Sequence, residues 1–167
     1  RQFLNQMFNL KAEFCLKIIF LFSFIALVSA FYIEYVLGHQ PCNLCLIERI
    51  PYGLSIMIIM AILLIRKNQK FLVMLLILTF IFSFAISFYH FGIEQGFFQE
   101  SSVCGVKSLT EIITKEDLLK QLSEKTISCK DVTFRIFGLS LTSINIVISL
   151  LFIITLLKIF KKYEKNK

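Results

Sequence analysis

Four apolar runs limit what this chain can become. They cover roughly residues 17–37, 46–65, 71–91 and 137–157, and each is long enough to cross a bilayer as a helix, which takes about 20 residues. The expected fold class is therefore an all-α membrane protein, a four-transmembrane-helix bundle. Composition agrees: hydrophobic residues make up 57% of the chain, and 19 of its 167 residues are phenylalanine, whereas soluble domains sit near ~45–50% apolar. The net charge of +7 does not mark a nucleic-acid binder, because the basic residues form no face with interleaved aromatics. They lie between and beyond the apolar runs, where they orient a membrane protein.

The connections are unequal: 38–45 and 66–70 are short, and 92–136 is long and polar. The N-terminal segment, the 66–70 turn and the C-terminal tail carry eleven basic residues, from Arg1, Lys11 and Lys17 to Lys165 and Lys167, against only Glu13 and Glu164. Lys and Arg concentrate on the cytoplasmic side, so both termini are expected inside and the 38–45 and 92–136 loops outside. The chain opens on Arg1 rather than methionine, so the N-terminus is expected to be incomplete or trimmed. The first run has some features of a signal peptide, with a basic start and a small-residue Val28-Ser29-Ala30 site. Its apolar character continues through Leu37, which favours a retained span.

Within the long loop, Ser108-x-x-Glu111 is a capping-box pattern, and Thr114-x-x-Asp117 is a second helix-start signal. Ile112, Ile113, Leu118, Leu119 and Leu122 follow at roughly helical spacing. The long outer loop is thus expected to contain a short amphipathic helix, lying on the membrane surface or packed against the loop itself. No internal repeat, low-complexity tract or second domain interrupts the sequence, and residues 1–167 read as a single integral membrane domain.

The chemistry concentrates in Pro41-Cys42-Asn43-Leu44-Cys45, between the first two runs. A Cys-x-x-Cys pair opens and closes as a disulfide with little backbone movement. Cys45 directly precedes the second predicted helix, where free N–H groups and the helix dipole lower a thiol pKa. Arg49 lies one turn deeper on the same face, and a charge there is costly enough to suggest function. Its guanidinium suits a quinone carbonyl and the charge gained on reduction. The plain alternative is that Arg49 snorkels to the interface or pairs with Glu48.

Cys104 and Cys129 share the long loop and, with Cys42 and Cys45, fall on the predicted outer side, where disulfides survive. They read either as a structural staple, worth about 3–4 kcal/mol on the loop-entropy model, or as a second redox pair in a relay by thiol–disulfide exchange. Zinc is not expected, because the loop cysteines are too widely spaced to form a second knuckle beside Cys42 and Cys45. Cys15 reads as a buried bystander thiol. His90 closes the third run with Glu94 one turn on. It is either a proton relay or an ordinary interfacial histidine.

This ordered set resembles the DsbB-type disulfide bond formation proteins of bacterial inner membranes. The resemblance rests on Pro41-Cys42-Asn43-Leu44-Cys45, Glu48-Arg49, Tyr89-His90, Cys104, Cys129 and Gly138-Leu139-Ser140-Leu141, and it spans about residues 17–157. It implies a thiol:quinone oxidoreductase that reoxidises a periplasmic DsbA-like dithiol protein and passes electrons to ubiquinone or menaquinone, the route that keeps the bacterial periplasm oxidising. The resemblance makes Cys104 the residue that forms the mixed disulfide with the partner and Cys129 the one that exchanges with Cys42. It places Cys45, Arg49 and His90 at the quinone. Two features depart from the family pattern: the chain has no tryptophan, and Glu34 puts an acid near the outer end of the first run. Two other readings compete. The vitamin K epoxide reductase-like quinone enzymes place their loop pair before the Cys-x-x-Cys, the reverse of the order here. A structural or assembly membrane protein would use the disulfides only for stability.

Overall fold

The computed structural model describes residues 2–65, 68–99, 129–130, 135–136 and 139–165. In chain order the elements are α1 (Gln2–Tyr35), α2 (Asn43–Leu64), α3 (Gln69–Glu94), the two-residue strands β1 (Arg135–Ile136) and β2 (Leu139–Ser140), and α4 (Leu141–Lys165). Among the described residues, four helical segments are long and apolar enough to cross a membrane: Lys11–Tyr35, Asn43–Leu64, Gln69–Glu94 and Leu141–Tyr163. The fold is an all-α four-span bundle. Cys104 and the amphipathic helix expected around residues 108–122 lie outside the described residues.

Several helix ends differ from the sequence reading, each for a local reason. α2 starts at Asn43 rather than 46 because extended Cys42 (φ −72°, ψ 166°) is its N-cap, its Sγ accepting the Cys45 backbone N–H. α3 runs one turn past His90 and stops at a glycine-centred cap. Gly96 takes φ +78°, its N–H bonds to the Ile93 carbonyl, and the Phe97 N–H bonds to the Gly92 carbonyl. The returning chain lays Phe98 over Gly92, where a Cβ would collide with the ring. Phe98 also stacks on Tyr89 at 5.7 Å. α4 begins at Leu141 rather than 137, since Leu139–Ser140 pairs antiparallel with Arg135–Ile136. The Ser140 hydroxyl then accepts the Ser143 N–H, capping the helix.

α2 packs against α1 and α3, and α3 packs against α4, whereas α1 and α4 touch only lightly. That leaves a cleft on one side of the bundle. The core joins Leu16 and Ile19 of α1 to Ile59, Leu76, Phe80 and Leu156 of the other helices. Phe80 meets Phe152 edge-on at 5.1 Å. Small polar residues cross the interfaces: Ser55 donates to Ser23 at 3.1 Å, and Ser149 donates to Ser83 at 3.2 Å. Membrane helices use such residues to approach closely and to bond across an apolar medium. Large apolar side chains such as Met57 and Leu64 cover the outside, 70% and 75% exposed. An exterior of that kind suits lipid.

Candidate active site

The start of α2 sets the geometry of the cysteine pair. With Cys42 as N-cap, Cys45 stands in the first turn, and the two sulfurs lie 2.9 Å apart. A disulfide closes at about 2.05 Å, so a small movement joins them. The sequence reading gave the activated thiolate to Cys45; the capping geometry gives it to Cys42. Bonds from the Cys45 thiol and the His90 ring hold the Cys42 thiol below its ordinary range, with burial opposing them.

Cys42 and Cys45 then face different surroundings. Cys42 is buried with Leu44, Ile93 and Cys129. Its Sγ, the Cys129 Sγ and a ring nitrogen of His90 lie within 4.8 Å of one another. Cys45 instead lines a cavity of about 340 Å³ bounded by α1, α2, α4 and the 39–41 connection. Apolar walls such as Phe22, Ile25, Ile33 and Ile148 meet a polar end made by Cys45, Glu48, Arg49 and Asn145. An apolar ring with carbonyl oxygens fits such a lining, in which a few polar groups orient a largely apolar ligand.

Arg49 lies on the cavity wall. It does not pair with Glu48: its Nη1 donates to Glu34 of α1, its Nη2 reaches the Ala30 carbonyl at 3.5 Å, and its guanidinium sits 5.3 Å over the Phe31 ring. Glu34, a departure from the family pattern, is thus the counterion that lets Arg49 sit there. It also ties α1 to α2 beside the cleft.

His90 is 2% exposed and is held from several sides. Its Nε2 lies 3.6 Å from the Cys42 Sγ, and its Nδ1 lies 2.9 Å from Glu48 Oε1. The Thr142 hydroxyl approaches Nδ1 at 3.3 Å and donates to Glu94 at 2.8 Å. Glu94 itself comes only to 3.8 Å of Nε2. Asn145 supports the acid side by donating to Glu48 Oε2 at 3.2 Å and to Ser87 at 2.6 Å. Tyr52 in turn donates to the Asn145 carbonyl.

Cys42, Cys45, Arg49, His90 and Cys129 therefore gather at one end of the bundle. Cys15 does not join them; it packs against the apolar core further along α1. The sequence reading missed Glu48, Thr142 and Asn145 as parts of the site. Their signal was polar character inside apolar runs, which is costly in a membrane. The zinc argument also changes. Spacing along the chain set Cys129 apart from Cys42, but folding brings the Cys42, His90 and Cys129 ligand atoms close enough to hold a soft metal ion.

A four-span bundle with a capped Cys-x-x-Cys and a histidine at one end defines a multi-pass membrane protein equipped for thiol chemistry. A family model described as disulfide bond formation protein DsbB matches residues 12–159, and the chain belongs to that family. It is 32% identical over 147 residues to an uncharacterized protein of Rickettsia prowazekii (strain Madrid E), covering 87% of this chain and 86% of the relative. No solved structure matches the chain. Family membership supports an oxidoreductase role in disulfide bond formation.

Proposed function

We propose that this protein is a thiol:quinone oxidoreductase that reoxidises a DsbA-like dithiol protein. The observation that carries the reading is the division of the cysteine pair: Cys42 faces Cys129, and Cys45 faces the cavity that holds Arg49. A pair divided in this way suits passing electrons from a loop disulfide on one side to a bound acceptor on the other.

The exchange balances as follows. A thiolate of the reduced partner attacks Cys104 of a Cys104–Cys129 disulfide, forming a mixed disulfide and releasing Cys129 as thiolate. Cys129 attacks Cys42 of the Cys42–Cys45 disulfide, forming Cys42–Cys129 and releasing Cys45 at the cavity. The partner's second thiolate then resolves the mixed disulfide, so the partner leaves oxidised and Cys104 is freed. Cys104 attacks Cys129, restores Cys104–Cys129 and releases Cys42 as thiolate; with two protons, equal to those that the partner's thiols gave up, Cys42 and Cys45 end as a dithiol. Ubiquinone or menaquinone held in the cavity would accept that pair's two electrons and two protons as Cys42–Cys45 closes again. Cys45 and Arg49 line the cavity, and Arg49 would hold a carbonyl oxygen through its N–H groups, its charge balanced by Glu34. The excess of Lys and Arg at the termini and the 66–70 turn puts those segments in the cytoplasm. The cysteine end then faces the periplasm of a bacterial inner membrane.

The test is quinone reduction by the purified protein, driven by a reduced DsbA-like protein, with Cys45→Ser as control. Turnover that vanishes in the control supports the reading. No turnover with either quinone, and four cysteines that stay disulfide-bonded under the reduced partner, would favour a structural membrane protein instead.

A further inference from the structure

We infer that Glu48 carries the proton that leaves Cys42 across α2 to the quinone cavity. This inference rests on the quinone-reducing reading above and adds a residue and a route to it.

Oxidising two thiols to a disulfide releases two electrons and two protons, and reducing a quinone to a quinol takes up two of each. The Cys45 proton has a direct way out, because Cys45 lines the cavity. Cys42 is buried with Leu44, Ile93 and Cys129 and is not part of the cavity wall. Besides the Cys45 sulfur 2.9 Å away, the atom it joins as the disulfide closes, the proton acceptor beside it is His90 Nε2 at 3.6 Å. The other ring nitrogen lies 2.9 Å from Glu48 Oε1, and Glu48 is itself part of the cavity wall.

One carboxylate therefore touches both surroundings. A proton passing from Cys42 Sγ to His90 Nε2 releases the Nδ1 proton to Glu48, and Glu48 delivers it to a quinone oxygen in the cavity. With the Cys45 proton, the count closes at two; Glu48 returns to its starting state, and His90, left with its proton on Nε2, returns by tautomer exchange before the next turnover. Glu48 is free for this task because Arg49, the neighbouring cation, is bonded to Glu34 instead. Asn145 is a positioning residue. Its amide holds Glu48 Oε2 at 3.2 Å while Ser87 and Tyr52 hold Asn145, so Oε1 stays on His90.

The experiment compares wild type, Glu48→Gln and Glu48→Asp as full chains in lipid, with a reduced DsbA-like protein as donor and a short-chain ubiquinone as acceptor. Gln keeps the shape and can accept from either His90 or Asn145, but it cannot carry a proton. The expected result is a kcat about a hundredfold lower, the scale of positioned acid–base catalysis. The quinone KM stays within about twofold, and the solvent deuterium isotope effect on kcat increases. Oxidation of the partner in a single turnover keeps its wild-type rate, since it precedes the quinone step. Asp, which retains the exchangeable proton, recovers at least about tenfold of the lost kcat, and it decides the matter if Gln fails to fold. A Gln variant with unchanged kcat, or with a raised KM alone, overturns the inference and leaves the quinone reading standing. Asp no faster than Gln, or as slow as expected for Gln when Gln does not fold, also overturns it. A wild type that reduces no quinone overturns both.

Discussion

Glu48 and Arg49 are neighbours on α2, yet they belong to different parts of the molecule. Glu48 turns toward α3 and α4, where His90 and Asn145 bond its two oxygens, and it borders the cavity from that side. Arg49 turns toward α1, where Glu34, the Ala30 carbonyl and the Phe31 ring hold it at the cavity wall. Consecutive helical residues point about 100° apart and do not face each other, so two opposite charges side by side in sequence need not pair. Each instead joins α2 to a different neighbour. Both border the cavity, but the acid is tied to the packed α3–α4 side of the bundle and the base to α1.

That contrast makes predictions of graded size. Glu48→Ala leaves the His90 ring and the Asn145 amide without their buried acceptor, and breaking such a pair costs about 3–5 kcal/mol. Denaturant unfolding in detergent measures it, and a loss no larger than that for Arg49→Ala would erase the contrast. On the proposed quinone reading, Arg49→Ala mainly removes a contact to the acceptor. A hydrogen bond from a charged donor is worth about 1.5–3 kcal/mol, so the quinone KM should rise roughly tenfold or more. An unchanged KM would reduce Arg49 to an anchor for α1. Glu34→Gln removes a partly exposed counterion, and steady-state kinetics should detect a shift in quinone KM of at most about fivefold, on the scale of ~1 kcal/mol or less for such pairs. A larger shift would give Glu34 a direct place at the ring. Ser83→Ala removes the interhelical hydroxyl pair with Ser149, which is expected to cost about 0.6 kcal/mol. A drop of several kcal/mol would mean that the apolar half depends on polar contacts as much as the cysteine end does.

The four spans were legible because bilayer thickness demands long apolar runs, and that demand leaves its mark on every residue of a helix. The Cys-x-x-Cys and Arg49 were legible for the opposite reason, as polar chemistry where apolar residues belong. The helix start at Asn43 was not. It depends on the Cys42 sulfur accepting the Cys45 N–H, a role more often taken by Ser, Thr, Asp or Asn. The convergence of Cys129 on Cys42 and His90 was also hidden, because it joins positions 87 and 39 residues apart in the chain. A lone amide in an apolar helix, as at Asn145, predicts a buried partner, but only the fold identifies that partner as Glu48.

The central claim is the division of labour between Cys42 and Cys45. It is tested most directly by mapping disulfides in the complex trapped with a reduced DsbA-like partner that lacks its second cysteine. The account predicts a partner–Cys104 link, a Cys42–Cys129 link and Cys45 as a free thiol. A Cys45–Cys129 link, or an intact Cys42–Cys45 disulfide beside the partner adduct, would contradict it.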